Sequence, residues 1–170
     1  MPIINPDLKV RLTSAIADHF VMTFVAGIFA LPNIVYHIAA TDISQFKKGR
    51  SEGWPFYFMN AGFALYFCKD CIRGQSIGKW LSKLQVINLR SGGIASPLQC
   101  FIRDIFIIIF PIEMVMILIN SGRRIGDLAA GTLVLRHDPS LSRDSINYVQ
   151  VIISFLLSYA FVLAAGRLAS

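Results

Sequence analysis

The amino-acid sequence predicts an all-α membrane protein: three core hydrophobic helical segments plus a C-terminal transmembrane helix, with a short interfacial helix and a small β-ribbon in the loops. Three observations point there. Of 170 residues, 55% are hydrophobic and the mean hydropathy is +0.59, more than an ordinary soluble domain carries. The apolar residues gather into runs on the scale of a bilayer crossing, which takes about 20 helical residues. The basic residues, which give a net charge of +6, sit at the ends of those runs rather than on one amphipathic face. That is the pattern of loop charge meeting anionic lipid, so the bilayer is the expected partner and nucleic acid is not.

The first segment organises the rest. A short polar lead, Met1 to Val10, precedes it. The run from Arg11 to Ile38 opens Arg11-Leu12-Thr13-Ser14-Ala15-Ile16-Ala17-Asp18-His19 and then turns almost wholly apolar. A carboxylate at the depth of Asp18 is costly and faces a protein partner or a water-filled cavity. Helical spacing sets Arg11, Ala15, Asp18 and Met22 along one stripe. The span should press that stripe against other segments, and Pro32 should kink or stop it. The length of the run and the early Asp18 favour a retained helix over a signal peptide.

Ala40 to Gly53 reads as a polar loop. The second span is expected from Trp54 to about Ile72, with Trp54 and Tyr57 at one interface and Lys69, Asp70 and Arg73 at the other. Ile77, Trp80, Leu81 and Leu84 then recur at helical spacing, with Lys79 and Lys83 off that face, which predicts a short interfacial helix. Gln85–Leu89 has strand character, and Ser91-Gly92-Gly93 is a turn signal. Ser96-Pro97-Leu98-Gln99 starts a helix: Ser96 caps, Pro97 suits the first position and Gln99 completes a capping box. That helix should continue through Arg103 and Asp104 into Ile105–Ile119, interrupted by Pro111 and carrying Glu113. Thr132 to Leu135 reads as a second strand. Asp138 to Asn147 is a polar linker, and the uncharged run Tyr148 to Ala165 is long enough to cross.

Catalytic and metal chemistry find little support. Cys68 and Cys71 form a C-x-x-C, with Cys100 distant. A metal or redox site would need a second ligand pair or a thioredoxin-like setting, so two small apolar residues one turn apart is the better reading. Gly74-Gln75-Ser76-Ile77-Gly78-Lys79 fails as a phosphate loop: it is one residue short, and Trp80 replaces the hydroxyl that would hold magnesium. No nucleophile with an adjacent base stands out. No enzyme activity, cofactor or metal is expected.

Taken in order, these motifs resemble the RDD family of small multi-pass membrane proteins. The family is named for an arginine at the start of its first helix, an aspartate within that helix and a second aspartate before a small-residue turn. Arg11, Asp18 and Asp127, the last in Gly126-Asp127-Leu128-Ala129-Ala130-Gly131-Thr132, match those positions. Gly74 through Val86 is similar to the family's glycine–lysine segment, and Arg103 falls where a further arginine is often found. The likeness runs from about Lys9 to Arg136. It divides the chain into an RDD-like membrane domain, residues 1–138, and a linker with an accessory helix, residues 139–170. Gly126 replaces a histidine often found before the second aspartate, so no role of that side chain carries over. The resemblance implies a multi-pass protein of the cell (inner, cytoplasmic) membrane, for which transport of ions or small ligands has been proposed.

Two functions follow from the charged residues. In one, Arg11, Asp18, Arg103 and Asp127 form a polar centre that binds a cation or small polar ligand, with Glu113 and Arg124 as secondary candidates. In the other, the same charges only staple the bundle of a non-catalytic scaffold or assembly subunit. Partners expected for Asp18 are Arg11, Arg103 or Arg124, with Arg103 favoured because it also lies just inside an apolar run. Asp127 could cap its turn, pair with Arg123 or Arg124, or close a site with Asp18. His19 points about 100° away from Asp18 and should not bond it. Enclosing a wide pathway would require a homo-oligomer or another membrane protein as partner.

Loop charge bears on topology. If Leu98–Asn120 enters and returns at Pro111, most loop lysines and arginines share one side. That arrangement would also let Gln85–Leu89 meet Thr132–Leu135 as paired strands, and it is the expected form.

Overall fold

The computed structural model describes residues 6–39, 53–119, 123–138 and 146–168. The elements run α1 (Leu8–Ala39), α2 (Trp54–Phe67), α3 (Ile77–Leu81), β1 (Leu84–Asn88), α4 (Pro97–Ile105), a 3₁₀ turn (Phe106–Ile109), α5 (Phe110–Ile119), α6 (Ile125–Ala130), β2 (Thr132–Arg136) and α7 (Tyr148–Leu168). The loop expected at Ala40 to Gly53 and the linker at Asp138 to Asn147 lie almost entirely outside the described residues.

Helix α1 buries Arg11, Ser14, Ala15, Asp18, Met22 and Ala26, the stripe that the spacing predicts. A small residue on α2 lets the two helices lie close: a methyl placed on Gly62 would fall 2.5 Å from Phe29 Cβ and 3.4 Å from Ala26 Cα. Pro32 does not stop the helix, which runs on to Ala39. The proline removes one backbone donor, and a long helix in lipid tolerates that. The opposite face exposes Phe20, Phe24, Ile28, Leu31 and Val35. Helices α1 and α7 are each long and apolar enough to cross a bilayer, and only 11% of each apolar window is buried within the chain. The core helix of a soluble protein would be mostly buried, so these faces suit lipid.

The second segment is shorter than expected. Helix α2 ends at Phe67 after 14 residues, and the chain turns through Cys68–Gly74 instead of continuing to Ile72. At 1.5 Å per residue α2 is about 21 Å long, less than the roughly 30 Å hydrocarbon core. The third segment is broken rather than continuous. Ser96 and Gln99 form the expected capping box and α4 stops at Ile105; the 3₁₀ turn then precedes Pro111. Pro111 cannot donate to the Ile107 carbonyl four residues back, and its ring crowds that carbonyl, so the last turn before it tightens. Of the three expected core segments, therefore, only the first is a single helix of crossing length.

The chain that follows this broken segment comes back to its first helix. Helix α6 runs back along α4: Gln99 Nε2 donates to the Ala130 carbonyl at 3.2 Å, and Arg103 reaches Asp127. Gly131, at φ +65°, closes α6 in the left-handed conformation that glycine favours. Strands β1 and β2 then pair antiparallel, with Val86 opposite Val134. Beneath this ribbon lies the apolar core: Phe67, Cys71, Leu84, Val86, Ala95, Cys100, Phe101 and Val134, with Phe161 of α7 against it. Helix α7 carries two buried serines, Ser154 and Ser158, and Ser158 Oγ donates to the Ala64 carbonyl of α2 at 2.9 Å.

Candidate functional site

At the end of the bundle nearest the ribbon, charges alternate in one buried chain. Asp18 on α1 is the first. Its Oδ1 accepts from the Gly78 backbone N–H at 2.7 Å, and its Oδ2 accepts from Ser76 Oγ at 2.6 Å and Lys79 Nζ at 2.9 Å. Lys79 Nζ also donates to Asp70 Oδ1 at 2.8 Å and to Ser76 Oγ at 3.0 Å. An ammonium has three donors, and all three are used. Asp70 Oδ2 accepts from Arg103 Nη1 at 2.7 Å, and Arg103 Nε donates to Asp127 Oδ1 at 2.6 Å. Asp127 completes its shell with Thr132 Oγ1 at 3.1 Å and the Arg124 backbone N–H at 3.1 Å. Arg11 Nη2 lies 3.7 Å from Asp127 Oδ2.

Three carboxylates and three cations thus balance, and each of the six residues is at most 4% exposed. Asp70 is enclosed by Lys79 and Arg103, one cation on each carboxylate oxygen. Burial opposes the charged form of Asp127, but Arg103, Arg124, the Arg124 N–H and Arg11 outweigh it and hold its carboxyl below the usual range. A second pair, Lys69 to Asp104 at 2.7 Å, lies nearby, with the Lys69 ammonium over the Tyr66 ring.

The four primary candidates are gathered into this network, but not with the partners expected. The counter-ion of Asp18 is Lys79, not Arg11, Arg103 or Arg124. Arg103 serves Asp70 and Asp127 instead and touches Asp18 only through Asp70 and Lys79. The reason lies in α3. Its apolar residues Ile77, Trp80 and Leu81 point outward, while Gly78 and Lys79 are buried. A methyl on Gly78 would stand 2.6 Å from Asp18 Oδ1 and 2.7 Å from the Ser14 carbonyl, so only glycine lets α1 approach. Asp70, expected at a membrane interface, is fully buried.

Asp127 both caps α6 and pairs, though with Arg103 rather than through the Arg124 side chain. Glu113 stands apart and accepts from the Gly126 N–H at 3.0 Å. Gly126 is required by contact: a Cβ there would fall 2.3 Å from the Arg103 carbonyl oxygen. His19 does not bond Asp18, as expected, and its Nδ1 lies 2.5 Å from the Tyr66 hydroxyl. Of the C-x-x-C, Cys71 is buried in the apolar core and Cys68 packs half-buried against it; Cys100 lies in the same core.

The arginine and two aspartates singled out in sequence are therefore parts of one ion network. The RDD family model matches residues 6–167, nearly the whole chain. The chain belongs to the RDD family. The match extends past Arg136, where the resemblance in sequence was expected to end, and takes in α7. No curated protein and no solved structure matches the chain. In this RDD protein, Lys79 and Asp70 are the links that sequence reasoning missed. One signal was present: Lys79 lies opposite the apolar face of α3, and in lipid the polar side of a helix turns inward.

Proposed function

We propose that this RDD protein is a non-catalytic, multi-pass subunit of the cell membrane whose buried charges hold its segments in one arrangement. The observation that carries this reading is the saturation of Asp18. Both carboxylate oxygens accept from the chain itself, and the ammonium between Asp18 and Asp70 spends every donor. A buried ion pair adds little net stability over apolar packing, but breaking one is costly, so such a network selects a unique arrangement. In the bilayer, α1, α2 with its following turn, and α7 would cross, and residues 97–119 would enter and return. The exposed faces of α1 and α7 would meet lipid, a second copy or another membrane protein.

A second reading has its own observation. Lys79 Nζ occupies a cage of three oxygens, from Asp18, Asp70 and Ser76, which is also a donor set for a small hard cation. Withdrawal of the ammonium would leave a cation site. Reconstitution of wild-type and Asp18→Asn chains into sealed vesicles separates the two. The scaffold reading expects sodium and proton fluxes at the level of empty vesicles for both chains, with lower thermal stability for Asp18→Asn. Wild-type flux above that level, abolished in an Asp18→Asn chain that inserts and folds normally, would overturn it in favour of the second.

A further inference from the structure

The turn between α2 and α3 forms one wall of an open cleft of about 410 Å³, lined by Lys69, Ile72, Arg73, Ser76, Ile77 and Trp80, among others. Its charge is one-sided: two cations line it and no carboxylate does. The Lys69 ammonium is turned inward and is neutralised by Asp104 at 2.7 Å, so it does not carry the site. Arg73 differs. It is exposed, and its side chain makes no hydrogen bond or ion pair with the described residues; only its carbonyl is used, accepting from Gln85 Nε2 at 2.9 Å. Arg73 also sits at φ +54°, a left-handed backbone where glycine is favoured over a long side chain. The rim is apolar, with Ile72 56%, Ile77 53% and Trp80 67% exposed. Tryptophan with an apolar rim belongs at the headgroup level of a bilayer, and a guanidinium there meets anionic headgroups.

We propose that this cleft binds the phosphodiester of an anionic phospholipid, with the Arg73 guanidinium on the phosphate and Ile72, Ile77 and Trp80 against the upper acyl chains. A guanidinium suits the phosphate because its planar fork donates two parallel hydrogen bonds. The site lies one residue layer outside the ion network, since Ser76 lines the cleft and donates to Asp18.

Trp80 supplies the probe. The chain has two tryptophans, so Trp54→Phe leaves Trp80 alone to report. The full chain is reconstituted in phosphatidylcholine vesicles containing a minor fraction of brominated phosphatidylglycerol or, in parallel, of brominated phosphatidylcholine. Trp80 quenching is expected to be several-fold stronger with the anionic lipid. Arg73→Gly, which the backbone conformation accommodates, is expected to make the two lipids equal, while Arg90→Ala, outside the cleft, keeps the preference. Equal quenching in the parent, retention of the preference in Arg73→Gly, or its loss in Arg90→Ala would overturn the proposal. So would abolition of the preference by inorganic phosphate, which would make the ligand a soluble anion.

Discussion

The ammonium of Lys79 lies between the carboxylates of Asp18 and Asp70, 2.9 Å from one and 2.8 Å from the other, and so joins residues 52 positions apart. Removing it leaves two buried carboxylates short of a cation. Lys79→Met is expected to cost about 3–5 kcal/mol, seen as a lower thermal midpoint in detergent. Adding Asp18→Asn and Asp70→Asn to Lys79→Met should recover part of that loss, because the buried charges go with their partner. A triple variant no more stable than Lys79→Met would show that the pairing is not the source of the cost.

Two glycines give opposite expectations. Gly78→Ala drives a methyl into Asp18 Oδ1 and the Ser14 carbonyl, so α3 must back away and the Asp18 hydrogen bonds lengthen. A loss of about 1–3 kcal/mol is expected, in the range of an overpacked core. Gly27→Ala on α1 meets nothing within 4 Å and should hold or raise stability, by up to about 1 kcal/mol, because alanine is the better helix former. Melting curves of the two variants side by side check the contrast.

Acid should spare the bundle until low pH. Asp127, outside the crossing segments, has a folded value below its ordinary range. A depressed carboxylate contributes stability that is present above its unfolded value, about 3.9, and is lost as pH falls through the folded value. Asp127 therefore predicts no loss between neutrality and about pH 4, and a loss below it. Near-ultraviolet circular dichroism in detergent follows this directly. Unfolding that begins near pH 6 would place the sensitive group elsewhere.

The return of residues 97–130 to the ribbon predicts a labelling pattern. Leu89 N–H donates to the Gly131 carbonyl at 3.1 Å, so the Arg90 and β2 ends of the chain are fixed together. With the three native cysteines replaced, Arg90→Cys and Arg123→Cys are expected to react with an impermeant maleimide from the same side of sealed vesicles. Ser121→Cys, outside the described residues, should behave likewise. Labelling of Ser121→Cys only from the opposite side would mean that the segment crosses.

The sequence by itself determined what depends on near neighbours. Periodicity gave the buried stripe of α1, because residues three and four apart share a helix face whatever they pack against. Ser96, Pro97 and Gln99 set the start of α4, and the strand character of 85–89 and 132–135 foretold the ribbon to within a residue. Pro111 marked the break, though the geometric effect falls on the turn before it. The partner of Asp18 was another matter. Arg11, Arg103, Arg124 and Lys79 all offer a positive charge, and nothing local chooses among them. Tertiary structure chose, because Gly78 alone allows α3 to touch α1, and that contact delivers Lys79 to Asp18 while leaving Arg103 for Asp70 and Asp127. Coulomb attraction decides that buried charges pair; the reach of each side chain from its packed backbone decides which.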